Sequence, residues 1–155
     1  MIPPNRDNLV LPDPPKALGA YSAVVVRGSH GAVSGQFPMV AGSLQLAGRV
    51  GHELSVEEGC EACRIAALNV LAQIDRATMG FAHFAGMLRL DGYIASAPDF
   101  RDQPCILDVA SDILVRYLGN HPGAHARTAF APSMLPLGAA IELCATFALQ
   151  LDDRF

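Results

Sequence analysis

The sequence predicts an α+β fold, a mixed β-sheet carrying two long helices on one of its faces. Three observations predict it. Two segments have the capping and spacing of amphipathic helices, five apolar runs are short enough for strands, and the elements follow the order β-β-α-β-α-β-β. There are no internal repeats, low-complexity tracts or linkers, so residues 1–155 read as a single domain.

The chain opens with Pro3, Pro4, Pro12, Pro14 and Pro15, which make residues 1–20 an extended, irregular lead-in closing on Gly19. Two apolar runs follow, YSAVVV and AVSGQF, and the intervening RGSHG predicts a β-hairpin because glycine supplies the backbone freedom that a tight loop needs. SLQLAGRVG, with glycines on both sides, adds a short edge strand. SVEE then marks a helix start: Ser55 caps the first free amides and Glu58 reaches back, giving a helix from Val56 to about Met79. Cys60, Cys63, Ala67, Leu71 and Ile74 recur at helical spacing along one face of it.

MLRLDGYIAS reads as a strand with Leu88, Leu90 and Ile94 as its apolar positions, and SAPDFRDQP as a turn. A second helix begins near Pro104, buries Ile106, Val109, Ala110, Ile113, Leu114 and Tyr117, and stops at Gly119. HARTAF and AAIELCATFAL close the fold as two strands joined by PSMLPLG.

Hydrophobic residues make up 51% of the chain and charged ones only 17%, with a mean hydropathy of +0.28. A sheet face left open by the helices therefore has little charge with which to face water. Packing it against further copies of the chain under cyclic symmetry solves this and places pockets at subunit boundaries. No run reaches the ~18 apolar residues of a membrane span, and MIPPNRDNLV lacks the basic start and apolar core of a signal peptide, so the expectation is a cytoplasmic protein without a membrane partner. A net charge of −4 with scattered Lys and Arg provides no groove for phosphates, so no nucleic-acid partner is expected.

Cys60 and Cys63 form a CxxC within the first helix, without a second pair, and read as buried packing; Cys105 and Cys144 read as reduced thiols. The five histidines lack metal-site spacing, and no metal is expected. Between Pro122 and Leu149 the only side chains charged at every physiological pH are Arg127 and Glu142. An arginine in so apolar a segment needs a partner, either a carboxylate of the protein, Glu142 or Asp108, or a ligand.

LGAYSAVV, VSGQFP, RVGHELSVEEG, ASAPDFRDQP, HARTAF and LPLGAAIEL, in this order and spacing, resemble the RidA/YjgF family, also called endoribonuclease L-PSP, and particularly its longer branch with SVEEG and ASAPDF segments. The likeness runs from about Leu9 to Leu149. It implies a chorismate-mutase-like single domain assembled as a homotrimer, with three clefts between neighbouring subunits. It also implies hydrolysis of reactive enamine or imine acids of the 2-aminoacrylate type to 2-oxo acids and ammonia, with no cofactor.

Carried onto this chain, the resemblance makes Arg127 the clamp for a substrate carboxylate, Tyr21 a cleft residue, and Ser34 and Gly35 ligand contacts. Asp108 falls where the family has an asparagine. Cys144 falls where the family has the glutamate that orients the attacking water. Glu142 shares the face of Cys144 but lies about 7 Å away along a strand, and is not expected simply to substitute. Cys144 is either a buried thiol filling a strand or a nucleophile, with His125 the histidine in reach if it lies on a neighbouring strand.

Two functional readings follow. In one, the trimer is a deaminase in which Arg127 clamps the carboxylate and Cys144, or a water beside it, takes the glutamate's place. In the other, the trimer binds a small carboxylate metabolite without turning it over. The family's endoribonuclease label is a third reading, which the acidic charge opposes.

Overall fold

The computed structural model describes residues 9–150. Residues 1–8 of the predicted lead-in lie outside that range, and residues 9–20 run without regular secondary structure. The hairpin forms from β1 (Val24–Arg27) and β2 (His30–Gln36), joined by the two-residue loop Gly28–Ser29 with Gly28 at φ +56°. An L-residue side chain would be strained there, which is why the loop needs glycine.

β3 (Met39–Val40) and β4 (Ser43–Leu44) pair only with each other, so the SLQL segment forms a small separate ribbon and not the expected extra strand of the main sheet. After α1 (Val56–Ala77) come β5 (Phe84–Ile94), α2 (Gln103–Leu118), the single turn α3 (Asn120–Gly123), β6 (Ala126–Phe130) and β7 (Ile141–Leu149). A 3-10 turn at Pro136–Gly138 lies within the last connection.

The five long strands stand in the order β1-β2-β7-β5-β6. All pairs are antiparallel except β5 with β6, whose ends are bridged by α2. The chain thus forms the α+β architecture with a mixed sheet that its element order predicts. Strand alternation sorts the side chains: Leu90, Ile94, Ile141, Leu143, Ala145 and Phe147 are buried under the helices, joining Leu71 and Ile74 of α1 and Ile106 and Leu114 of α2 in one core. Leu88, predicted among the apolar strand positions, is exposed because a bulge between Met87 and Arg89 shifts the alternation.

α1 starts as the sequence requires. Ser55 Oγ accepts from the Glu58 amide at 3.1 Å, and the Glu58 carboxylate accepts from the Ser55 amide at 2.8 Å. Its second half departs from the one-faced pattern, since every residue from Ala66 to Ile74 is buried. The reason lies in two buried amides. Asn69 Nδ2 donates to the carbonyls of Phe37 and Met39 at 2.9 and 3.0 Å, and Gln73 Nε2 donates to that of Pro15 at 2.6 Å. Chain segments distant in sequence thereby cover the side of the helix turned away from the sheet.

α2 begins one residue before Pro104 and ends where Gly119 adopts φ +94°. No helix among the described residues is long and apolar enough to cross a membrane. Nor do three or more His, Cys, Asp or Glu side chains converge among them as a metal site would require.

Candidate functional site

Arg127 lies in β6, an edge strand of the sheet, opposite Leu90 of β5, which in turn faces Ala145 of β7. These three residues share the helix-bearing face. Arg127 accordingly reaches α2, where Nη2 stands 2.6 Å from Asp108 Oδ1, Nη1 donates to Ser111 Oγ at 2.9 Å, and Nη2 makes a long 3.4 Å bond to the Pro104 carbonyl. The protein partner of the arginine is Asp108, not Glu142. The Arg127 side chain remains 29% exposed and that of Asp108 60% exposed, so the pair opens to solvent at the sheet edge.

Behind Ser111 stands His125. Its Nε2 is 3.0 Å from Ser111 Oγ, and its Nδ1 is 2.7 Å from the Gly123 carbonyl. The question whether His125 reaches Cys144 is answered here: its ring is engaged on the helix side of the sheet, away from Cys144. Neither Ser111 nor this role of His125 was read from the sequence. The signal for Ser111 was available: it lies three residues after Asp108 and therefore on the same helix face.

The second group of predicted residues gathers around β2. Ser34 Oγ donates to the Ser22 carbonyl at 2.7 Å, and Tyr21 and Gly35 line one recess of about 20 Å³. That volume admits little more than a water molecule. Tyr21 is 49% exposed above it. A Cβ added to Gly35 would stand 1.8 Å from Glu142 Oε1, so the Glu142 carboxyl lies directly over the Gly35 backbone, in a space that only glycine leaves open. Glu142 is the residue that the sequence reading set aside. Gly35 was named, but not the side chain it admits.

Glu142 faces Tyr93 across the β5–β7 ladder and Cys144 faces Asp91, all on the side away from the helices. Tyr93 stacks on Phe130 with ring centroids 4.6 Å apart. Burial raises the Glu142 carboxyl above the usual glutamate value. Burial foremost, then the negative charges of Glu142 and Asp91, pushes the Cys144 thiol up to about 11. A thiol so placed is protonated near neutrality and is a poor nucleophile.

The structure therefore brings Tyr21, Ser34, Gly35 and Glu142 together, with Cys144 on the same face, and places Arg127 with Asp108 on the other face. A larger hollow of about 590 Å³ lies elsewhere, between the lead-in, α1 and the β3–β4 ribbon. It is mostly apolar, and none of the predicted site residues line it. Its charged lining residues are Asp13, Lys16 and Arg64, and Arg64 is already paired with Glu61 at 2.6 Å.

Comparison with known proteins agrees with this architecture. Residues 6–149 match the family described as "YjgF/chorismate mutase-like, putative endoribonuclease". The fold is similar to that of a "putative endoribonuclease" from Shewanella oneidensis MR-1, with a TM-score of 0.87 and 33% identity over 93% of this chain and 94% of that one. It is also similar to protein Atu1372 from Agrobacterium tumefaciens, with a TM-score of 0.85 and 29% identity over 94% of this chain and 89% of the other. Protein TCP17 of Trypanosoma cruzi is 33% identical over 130 residues, 84% of this chain and 81% of TCP17. From the family match and the agreement in fold, the chain belongs to the YjgF/chorismate mutase-like family.

Proposed function

We propose that the protein is a cofactor-free hydrolase of small enamine or imine acids, working in clefts between copies of itself. The observation that carries this reading is the Glu142 carboxyl held over Gly35. A half-buried carboxyl with a raised proton affinity, packed over the Gly35 backbone, is suited to hand a proton to and from a reacting group. Cys144, pushed up to about 11, is not. On this reading the acid–base role belongs to Glu142, and Cys144 fills the strand.

The substrate carboxylate is held by Arg127. Asp108, Ser111 and the Pro104 carbonyl do not take up all five of its N–H groups, and the guanidinium is open to solvent. Arg127 and Glu142 lie on opposite sheet faces within one copy, so a shared cleft needs Arg127 from one subunit and Tyr21, Ser34, Gly35 and Glu142 from its neighbour. The homotrimer expected from the family resemblance supplies such boundaries, and the incomplete recess at Tyr21 and Gly35 fits a cleft that a second copy completes.

The chemistry follows from those positions. An enamine acid becomes an imine when its terminal carbon takes a proton. Water then adds to the C=N carbon, and the resulting carbinolamine collapses to the 2-oxo acid while nitrogen leaves as ammonia. Arg127 fixes the carboxylate end, which places the C=N carbon, and Glu142 relays the proton from the attacking water to the departing nitrogen.

The test is ammonia release from 2-aminoacrylate generated in situ. Arg127→Ala and Glu142→Gln are each expected to lower turnover at least tenfold, by about 10²-fold for loss of a general acid–base group. Cys144→Ala is expected to retain it. Turnover indifferent to Glu142→Gln, or abolished by Cys144→Ala, would reverse the assignment. Binding of pyruvate without any turnover by the wild type would favour a metabolite-binding trimer.

A further inference from the structure

We propose that Ser111 and His125 are positioning residues that hold the Arg127 guanidinium in one orientation for an incoming carboxylate. This rests on the reading that Arg127 binds such a group. The geometry leaves little freedom in the proton arrangement. A carbonyl oxygen only accepts, so the 2.7 Å contact with Gly123 puts a proton on His125 Nδ1. In the neutral ring Nε2 is then an acceptor, and the Ser111 hydroxyl donates a hydrogen bond to it across 3.0 Å. The lone pairs of Ser111 Oγ are left facing Arg127 Nη1 at 2.9 Å.

The result is a directed chain, Arg127 to Ser111 to His125 to the Gly123 carbonyl, in which every hydroxyl and ring nitrogen has a single role. Its far end is fixed. Gly123 is buried, and a Cβ there would stand 2.7 Å from the Val115 Cα, so this turn is pressed against α2. Asp108 cannot serve as the anchor in the same way, because its side chain is 60% exposed and solvent screens its hold on the guanidinium. Arginine has many rotamers, and a binding site gains affinity when the one it uses is populated before the ligand arrives. Ser111 and His125 perform that ordering from the half-buried side, leaving the solvent side of the guanidinium for the ligand.

The experiment is calorimetric titration of pyruvate into the assembled protein, with thermal melting of each variant as a check on folding. Ser111→Ala is expected to weaken binding by about three- to tenfold, the cost of leaving one long side chain to be ordered by the ligand. Ser111→Thr keeps the hydroxyl and is expected to bind within twofold of wild type. His125→Phe should give a loss like that of Ser111→Ala, and the two changes together should cost no more than either alone, since they break one chain. In an Arg127→Lys background, which lacks the guanidinium fork, Ser111→Ala should have no further effect.

Wild-type affinity in Ser111→Ala, a lowered melting temperature without an affinity change, fully additive losses with His125→Phe, or the same Ser111→Ala loss in the Arg127→Lys background would each overturn the positioning role. Pyruvate binding that survives Arg127→Ala unchanged would instead remove the carboxylate reading on which the proposal rests.

Discussion

Changing Asp108 to Asn should tighten the binding of small carboxylates. Asp108 Oδ1 sits 2.6 Å from Arg127 Nη2, where it competes with a ligand for the guanidinium and repels an arriving negative charge. Asparagine keeps an acceptor oxygen in a side chain of the same shape and removes the charge. At an effective dielectric of about 20, two unit charges about 4 Å apart interact by roughly 4 kcal/mol, which would change affinity by nearly a thousandfold. The 60% exposure of Asp108 rules that value out, because solvent screens the pair. Exposed pairs are worth about 0.2–1 kcal/mol, which corresponds to a gain of about 1.4- to fivefold.

Calorimetry with pyruvate at low and high salt reads this directly, and the gain should shrink as the Debye length shortens. A weaker complex in Asp108→Asn would mean that Asp108 holds Arg127 for the ligand and does not compete with it. Equal affinities at low salt would place the ligand away from the pair. Either result would refute the reasoning.

Three other outcomes follow from the same structure. With its thiol pushed up to about 11, Cys144 should react with iodoacetamide far more slowly than the exposed Cys105, since only about one thiol in a thousand is ionised at pH 8; peptide mapping that found Cys144 labelled first would contradict this. Glu142 holds its proton to higher pH in the folded chain than in the unfolded one, so its ionisation costs stability as pH rises from the ordinary glutamate value through the raised one. Relative to wild type, Glu142→Gln should therefore gain stability between pH 4 and pH 7 in denaturant melts at fixed protein concentration, and a difference that does not change with pH would count against the buried carboxyl. Ser55→Ala removes the cap of α1 and should cost about 1 kcal/mol, within the 0.5–2 kcal/mol span of such caps, read from the same melts at constant pH.

Much of the fold was legible because its signals are local. The Ser55–Glu58 capping box, glycine in the tight loop after β1, Gly119 at the end of α2 and the alternation along IELCATFAL each depend on residues a few positions apart, and backbone sterics and strand periodicity read them directly. What the sequence did not show depends on distant segments. The burial of α1 on all sides comes from Pro15, Phe37 and Met39 meeting Gln73 and Asn69, and SLQL pairs with Met39–Val40 in a ribbon apart from the main sheet.

The site divides in the same way. By itself the sequence determined that Arg127 is a lone cation in an apolar segment, that Glu142 and Cys144 share one face of a strand, and that glycine stands at position 35. Only the tertiary structure decided which of these groups can act. Strand order sent Arg127 to the helix side, where Asp108, Ser111 and His125 meet it, and register set the Glu142 carboxyl over Gly35. The physical reason is that proton affinity and charge pairing depend on burial and on distances of a few ångströms across the sheet, which residue spacing along the chain does not specify.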